Sequence, residues 1–274
     1  MNKRFSLNVD QGTRTKIMGI LNVTPDSFSD GGKYNNLDRA LQHVNKMVDL
    51  GADIIDVGGE STRPGYQPVS VDEELSRVVP IIEGISTRID VPLSIDTFKA
   101  KTADAALTAG ASIINDVWGA KADSQMAGVA VKYDAPIILM HNRDNMNYGS
   151  FIDDVIQDLN DSVSICLNSG VDKNKIWLDP GVGFAKSHEQ NLQIMRELDQ
   201  IVGLGMPVLL GTSRKSLIAK TLNLPVDERV EGTGATVCLG IAKGVSIVRV
   251  HDVKEMKRMA IMMDAMLERG DDRG

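Results

Sequence analysis

The sequence predicts an α/β chain folded as a single (β/α)8 barrel, the TIM-barrel architecture. Eight short apolar runs recur along the chain, and each ends in polar or glycine residues. Most of these runs are apolar at consecutive rather than alternating positions, which is typical of parallel strands buried on both faces. Their ends lie about 33 residues apart on average, which matches one strand–helix–strand unit.

The eight predicted strands occupy nearly the whole chain. In order they are KIMGILNVT at 16–24, ADIIDVGG at 52–59, VPLSIDT at 91–97, SIINDV at 112–117, PIILMH at 136–141, KIWLDPG at 175–181, PVLLGT at 207–212 and SIVRVHD at 246–252. Between them, apolar residues repeat at helical spacing, most clearly at 38–50 and 151–167. Eight uninterrupted units without a Gly-rich dinucleotide turn favour the barrel over the main alternative, an open doubly wound sheet.

Length, composition and charge restrict the class of protein. The chain has 274 residues, 42% of them hydrophobic and 24% charged, which is ordinary for a globular domain. We expect one domain over 1–274, with residues 1–14 preceding the first barrel strand. The net charge of −7 argues against nucleic acid as a partner, because nucleic-acid binding selects basic surfaces.

The sequence also predicts a protein outside the membrane, in a reducing compartment. No run approaches the ~18 consecutive apolar residues of a membrane span, and the first residues lack the apolar core of a signal peptide. Cys166 and Cys238 are far apart in apolar stretches. We therefore expect two buried free thiols and a cytoplasmic protein.

Two connections are unusually long and rich in Gly, Pro, Ser and Asn. They cover residues 24–37, after the first strand, and 58–70, after the second. Long loops in a compact domain are usually functional. In a barrel, the loops that follow the strands form the active face together with the strand ends.

Three strand-end residues suit the edge of a flat, nitrogen-rich ring. Asp96, Asn115 and Asp179 end the third, fourth and sixth predicted strands. A carboxylate accepts two parallel N–H bonds, and the amide both accepts and donates. A structural role is the alternative for each residue; Asp96 with Thr97, or Ser213, would then cap the helix that follows.

A second group of residues suits an anion, because it combines cationic and neutral donors for phosphate oxygens. Its members are Asn22, Thr62, Arg63, Arg249 and His251. Lys215 follows the seventh strand, and barrel phosphate sites commonly use the loops after strands seven and eight. The His and acidic residues lack the spacing of a zinc site, whereas oxygen donors beside phosphate groups suit Mg²⁺.

The motifs that carry these residues resemble the dihydropteroate synthase family. They are GILNVTPDSFSDGG at 19–32, DVGGESTRPG at 56–65, SIDT at 94–97, INDV at 114–117, DPGVGFAK at 179–186, TSRKS at 212–216 and RVHD at 249–252. The longest of them are specific, and the short ones occur in the family's order at matching strand ends. The resemblance runs from about Ile17 to the C-terminal helix.

The resemblance implies a reaction between two small molecules. 6-Hydroxymethyl-7,8-dihydropterin diphosphate would condense with 4-aminobenzoate to give 7,8-dihydropteroate and diphosphate. The catalytic residues implied are Asp96, Lys215 and Arg249. The pterin-binding residues implied are Asp96, Asn115, Met140, Asp179, Gly183, Phe184, Lys215 and Arg249.

The remaining residues are assigned by the same resemblance to the outer part of the site. Diphosphate is assigned to Asn22, Thr62, Arg63, Arg249 and His251, aminobenzoate to Phe28, Thr62, Pro64 and Ser216, and Mg²⁺ to Asn22 and Asp30. The family course is described as dissociative, with loss of diphosphate before the arylamine attacks. Sequence alone leaves direct displacement open.

Two other functions remain as alternatives. One is a related pterin-binding barrel that moves a methyl group from a methylated folate to a corrinoid protein; it has no use for a diphosphate site. The other is a catalytically silent paralogue, which is expected to have lost site residues.

One segment departs from the common family pattern, namely MHNRDNMN at 140–147 after the fifth strand.

The C-terminal segment predicts an assembly. A helix from about Val253 carries one stripe of methionines, Met256, Met259, Met263 and Met266. Met262 and Leu267 widen the apolar surface, and methionine is common at adaptable contact surfaces. Because the resemblance also implies a homodimer, we expect a two-fold dimer through the helices around strands seven and eight.

Overall fold

A computed structural model of the chain describes residues 7, 9–10, 12–24, 33–60 and 69–270, and of residues 33–36 it describes the backbone alone. Within these ranges all eight predicted strands are present. They are Lys16–Asn22 (β1), Ile54–Gly58 (β2), Leu93–Asp96 (β3), Ile113–Asp116 (β4), Ile137–Met140 (β5), Ile176–Asp179 (β6), Leu209–Leu210 (β7) and Ile247–Val250 (β8). The seventh is shorter than its predicted run and keeps only two residues as strand.

The strands form one parallel sheet that curves into a barrel. The hydrogen-bonded order is β6-β5-β4-β3-β2-β1-β8-β7. A parallel bridge between Leu178 and Val208 connects β6 to the residues just before β7, and the Leu178 N–H donates to the Pro207 carbonyl at 2.9 Å. The predicted (β/α)8 barrel is therefore confirmed.

Helices follow the strands and cover the outside of the barrel. Those in the described residues are Lys33–Asp49 (α1), Val71–Ser86 (α2), Ala100–Ala109 (α3), Met126–Tyr133 (α4), Phe151–Asn168 (α5), His188–Arg196 (α6), Leu198–Val202 (α7), Ser216–Leu222 (α8), Val230–Ala242 (α9) and Val253–Met266 (α10). The first begins five residues before the predicted Asp38, so the connection after β1 is shorter than expected. None of the described helices is long and apolar enough to cross a membrane.

The core has two parts because both faces of the sheet are buried. The larger part lies between strands and helices. The smaller part fills the barrel interior, with one residue from most strands: Met18, Ile54, Ile113, Ile138, Trp177, Leu209 and Ile247. Val9, from the segment before β1, packs against this inner cluster.

The two cysteines differ in burial. Cys166 in α5 is buried and Cys238 in α9 is half-buried, and both are free. The prediction of a buried thiol is confirmed for Cys166 and wrong for Cys238, because apolar neighbours in sequence do not fix which side of a helix faces the barrel.

Candidate active site

A polar layer lies in the barrel interior just beyond the inner apolar cluster. Side chains alternate between the faces of a strand, so residues two positions beyond the apolar layer also point inward. At four of these positions the side chain is polar: Asp56, Asn115, Asp179 and Arg249. Asp96 joins them from β3, because it lies two positions beyond Ser94, the register partner of Asp56. Strand register therefore brings together four of the residues assigned to the pterin, and it adds Asp56.

Arg249 is paired with two carboxylates of this layer. Its Nε donates to Oδ2 of Asp56 at 2.6 Å, and its Nη2 donates to Oδ2 of Asp96 at 2.7 Å. Nδ2 of Asn115 donates to the same Asp56 oxygen at 3.1 Å. Oδ1 of Asp56 is buried and has no hydrogen-bond partner among the described residues. One cation thus serves two carboxylates, and one acceptor remains for a ligand or water.

Burial and neighbouring charges together determine the protonation states of Asp96 and Arg249. Burial raises the pKa of Asp96 to about 7, with Arg249 opposing the shift and Asp56 adding to it. Burial alone would lower the pKa of Arg249, but Asp56 and Asp96 raise it, so the guanidinium stays charged. Additional N–H donors from a ligand would favour the ionised form of Asp96.

The loop after β6 forms the neighbouring wall. Nζ of Lys215 donates to the Val182 carbonyl at 2.6 Å and lies 4.7 Å from the centre of the Phe184 ring. Gly183 has a φ of +87°, and a Cβ atom there would come within 3.2 Å of Cδ of Lys215. Glycine at this position therefore leaves room for the Lys215 side chain to reach the loop backbone.

Asp179 and Lys215 influence each other's charge. Burial raises the pKa of Asp179, and Lys215 is the strongest of the charges that oppose this. Burial lowers the pKa of Lys215 to about 8, and Asp179 opposes that shift. The site therefore holds a carboxylate and an ammonium that are both partly stripped of water.

The remaining described candidates lie around the same end of the barrel. Asn22 ends β1, and Met140 ends β5. Nδ1 of His251 lies 2.9 Å from Oγ of Ser213, which also accepts the His251 backbone N–H at 3.1 Å. Ser216 is exposed at the first residue of α8.

The capping alternative is wrong for Asp96 and for Ser213. Helix α3 follows Lys99, and its first N–H, from Ala100, donates to Asp123. Helix α8 follows Lys215 without a side-chain cap, while the Ser213 hydroxyl contacts His251. Both side chains are thus free of the structural task that competed with a site role.

Five of the candidates lie outside the described residues. They are Phe28, Asp30, Thr62, Arg63 and Pro64. Within the parts of the chain that the structure does describe, no group of three or more His, Cys, Asp or Glu residues could hold a metal ion.

Two features of the site were missed by sequence reasoning. Asp56 lies in the middle of β2, so a carboxylate within an otherwise apolar strand was the signal for it. The other feature is the contact between Lys186 and His141, whose Nζ and Nδ1 atoms lie 2.7 Å apart. No sequence signal pairs these two residues, because 45 positions separate them.

Comparisons with known proteins agree with this geometry. A family model described as pterin binding enzyme matches residues 18–251. A dihydropteroate synthase from Bacillus subtilis is 61% identical over 94% of this chain and 90% of that protein. A solved structure of the dihydropteroate synthase from Clostridium difficile in the presence of pteroic acid superposes with a TM-score of 0.92 at 54% identity, over 95% of this chain and 99% of that one. The Xanthomonas albilineans dihydropteroate synthase with 4-aminobenzoic acid superposes at 0.90 and 38% identity, over 95% of each chain.

Proposed function

The chain belongs to the dihydropteroate synthase family of pterin-binding enzymes, and we propose that the polar layer of its barrel binds the pterin of the family reaction. The enzyme is a transferase. It condenses 6-hydroxymethyl-7,8-dihydropterin diphosphate with 4-aminobenzoate, which gives 7,8-dihydropteroate and diphosphate.

The observation that carries the pterin assignment is the convergence of acceptors within the barrel. Asp96 and Asp179 offer carboxylate oxygens, and Asn115 offers both an acceptor and a donor, as the edge of an amino-pyrimidinone ring requires. In the structure, the planar guanidinium of Arg249 already donates one hydrogen bond to an oxygen of Asp96 and a second to Asp56. A pterin edge presents similar N–H groups, so it would take over this carboxylate and release part of the guanidinium.

The released guanidinium would serve the outer half of the site. We assign Arg249 to the face of the pterin and to the diphosphate, because a planar cation both stacks and binds phosphate oxygens. Met140, Gly183, Phe184 and Lys215 would enclose the ring. Asn22 and His251, with Thr62 and Arg63, would bind the diphosphate, and Phe28, Thr62, Pro64 and Ser216 would line the aminobenzoate site.

A magnesium ion fits this outer half as a companion of the diphosphate. Mg²⁺ prefers oxygen donors and often binds through one or two protein groups plus phosphates. Asn22 supplies an amide oxygen, and we assign Asp30 as the second ligand. When bound, the ion would neutralise charge on the departing diphosphate.

The protein groups support a dissociative course. The bond between the exocyclic carbon and the diphosphate oxygen breaks, and its electron pair leaves with the diphosphate. Ionised Asp96 and Asp179 stabilise the cation left on the pterin, since their charges are fixed in a water-poor interior. The aminobenzoate nitrogen then forms the new C–N bond and loses a proton to solvent.

Diphosphate release tests the function directly. Purified protein with both substrates and Mg²⁺ should release one diphosphate per dihydropteroate formed. Release without aminobenzoate would indicate hydrolysis instead, and no release with both substrates would contradict the proposal. At subsaturating pterin diphosphate, the Asp96→Asn variant should release diphosphate more slowly than the wild type, which ties the activity to the polar layer.

We also propose a cytoplasmic homodimer that forms through α9 and α10. Ile261, Met262 and Met266 in α10 are each more than half exposed, and Leu239 in α9 is 40% exposed. Met256 is buried and Met263 packs against the core, so only part of the methionine stripe is available to a partner. The free thiols of Cys166 and Cys238 support a reducing compartment.

Light scattering at micromolar concentration should give about twice the chain mass of 29.7 kDa. Met262→Lys should shift the mass to one chain, whereas Leu167→Lys, at an exposed position of α5, should leave it unchanged. A wild-type mass of one chain would contradict the dimer.

A further inference from the structure

The lysine that ends the loop after β6 is buried and turned back into that loop. Lys186 is 8% exposed. Its Nζ donates to the Gly181 carbonyl at 2.9 Å and to the Phe184 carbonyl at 3.0 Å, and it lies 2.7 Å from Nδ1 of His141. The ammonium therefore holds two carbonyls of its own loop and one side chain from the end of β5.

The position of Lys186 disfavours the charged form of its side chain. All three of its acceptors are neutral, and burial lowers its pKa to about 7. Asp179 is the strongest charge that opposes this shift, but the hydrogen-bonded link from Lys186 to a carboxylate runs through the imidazole, since Nε2 of His141 lies 3.0 Å from Oδ2 of Asp158. A buried cation without a direct carboxylate partner does not improve stability over an apolar side chain. Its geometry instead serves the loop it holds.

The loop needs such a restraint because its backbone is unusual. Gly181, Gly183 and Ala185 all have positive φ angles, of +67°, +87° and +44°. For Ala185 this conformation is unfavourable, because its Cβ crowds the following carbonyl oxygen. A Cβ at Gly181 would lie 1.9 Å from the His141 carbonyl oxygen, so β5 and the loop are in close contact here. A single ammonium between the carbonyls of 181 and 184 spans this strained turn.

The same loop carries the groups that we assign to the pterin. Asp179 lies at its start, and the Gly181 N–H donates to Oδ1 of that carboxylate at 2.7 Å. Phe184 forms its wall, next to Lys215. Lys215 donates to the carbonyl of residue 182. The two lysines therefore bind different carbonyls of one backbone segment: Lys186 those of 181 and 184, and Lys215 that of 182. Lys215 faces the recess formed by the polar layer, namely Asp56, Asp96, Asn115, Asp179 and Arg249. Lys186 instead contacts His141, which directly follows β5.

We propose that Lys186 is a positioning residue for the pterin: its ammonium, oriented by His141 and Asp158, fixes the Gly181 and Phe184 carbonyls and thereby the placement of Asp179 and the Phe184 ring. The inference rests on the assignment of the recess to the pterin. It also gives Lys186 an electrostatic effect on the ligand, because its charge opposes the rise in the pKa of Asp179 that burial causes.

The test compares two lysine-to-methionine variants near Asp158: Lys186, which is linked to this carboxylate only through His141, and Lys121, which lies beside it. Lys186→Met removes the ammonium from the loop. Lys121→Met is the control, because Nζ of Lys121 lies 4.0 Å from Oδ1 of Asp158 and is not bonded to the loop. Calorimetry with a pterin that lacks the diphosphate should show binding about tenfold weaker for Lys186→Met, the loss of one charge-assisted hydrogen-bond set. The control should match the wild type.

Kinetics separate positioning from general damage. For Lys186→Met, the KM for pterin diphosphate should rise about tenfold, whereas the KM for aminobenzoate at saturating pterin diphosphate should stay within about twofold. Equal rises in both constants, or unchanged pterin affinity in a folded variant, would overturn the proposal. Thermal unfolding of each variant establishes that it is folded.

A second variant decides the matter if Lys186→Met does not fold. His141→Phe removes one acceptor but leaves both carbonyls, so pterin binding should weaken by about threefold with the aminobenzoate KM unchanged. Unchanged pterin binding in this variant would overturn the proposal. Calorimetry needs no turnover, so absent diphosphate release by the wild type would count against the proposed function and not against Lys186.

Discussion

The recess inside the barrel and the stem of the loop after β2 are held in different ways. The recess consists of Asp56, Asp96, Asn115, Asp179 and Arg249, which are placed by strand register and point inward in one layer. The stem consists of Glu60, Val69, Lys99 and Glu74, which lie on both sides of residues 61–68. It is fixed by one ammonium rather than by the sheet.

Lys99 joins the two ends of this connection. Its Nζ donates to Oε2 of Glu60 at 2.5 Å, to the Val69 carbonyl at 2.7 Å and to Oε2 of Glu74 at 2.8 Å. Oε1 of Glu60 accepts the Val69 N–H at 3.0 Å. Burial alone would lower the pKa of Lys99, but its two carboxylate partners, Glu60 and Glu74, raise it above its usual value.

The difference separates two kinds of functional residue. In the recess, the groups assigned to the pterin are oriented by strands whose other residues form the core. Thr62, Arg63 and Pro64, assigned to diphosphate and aminobenzoate, lie between the two ends that the stem joins. Changes in the recess should therefore weaken binding of the pterin ring, and changes in the stem should act on the diphosphate and on aminobenzoate.

The largest effect is expected from Lys215→Ala. Removing the ammonium eliminates the contact with the Val182 carbonyl and leaves Asp179 buried without its strongest opposing charge. We expect kcat/KM to fall by about 100-fold, on the order of 2.7 kcal/mol, with the fold intact by circular dichroism. Lys220→Ala, at an exposed position of α8, is the control and should keep full activity. Near-normal turnover of Lys215→Ala would remove this residue from the site.

Asp96→Asn should have the next largest effect. The amide keeps one acceptor but adds a donor where Arg249 and the ring N–H groups both donate. Pterin affinity should fall by about 1.5–3 kcal/mol, the range for hydrogen bonds to charged groups. Calorimetry measures this, with Asp72→Asn as a control at a side chain that is 90% exposed. An equal loss of aminobenzoate affinity would erase the distinction between the two regions.

The sequence predicted the recess better than its surroundings, for a physical reason. Strands buried on both faces appear as apolar runs, and a polar residue at the end of such a run is conspicuous, as with Asp96 and Asp179. The start of α1 was missed because Lys33, Tyr34, Asn35 and Asn36 carry no apolar period. Contacts across the barrel, such as Lys186 with His141, depend on closure of the sheet and leave no local pattern.

Pterin binding should also depend on pH through the recess. Burial raises the pKa of Asp96 to about 7, so the carboxyl is ionised above that value and neutral below it. Only the ionised form accepts two N–H bonds, so affinity for a pterin without diphosphate should fall about eightfold from pH 7.5 to pH 6. Calorimetry across this range checks it. The decrease should be smaller in Asp96→Asn; an identical pH dependence in that variant would assign the titration to another group.

The smallest effect is expected at the stem, from Glu60→Gln. The amide retains an oxygen for the Val69 N–H but loses the charge that Lys99 contacts, while Glu74 remains as a partner. We expect stability to fall by about 1 kcal/mol and the KM for aminobenzoate, at saturating pterin diphosphate, to rise about threefold. The affinity for a pterin without diphosphate should not change, because no residue of the recess is altered. Steady-state kinetics and calorimetry on one preparation give both values. If Glu60→Gln weakens the pterin and spares aminobenzoate, the stem acts on the recess, and the two regions are not independent.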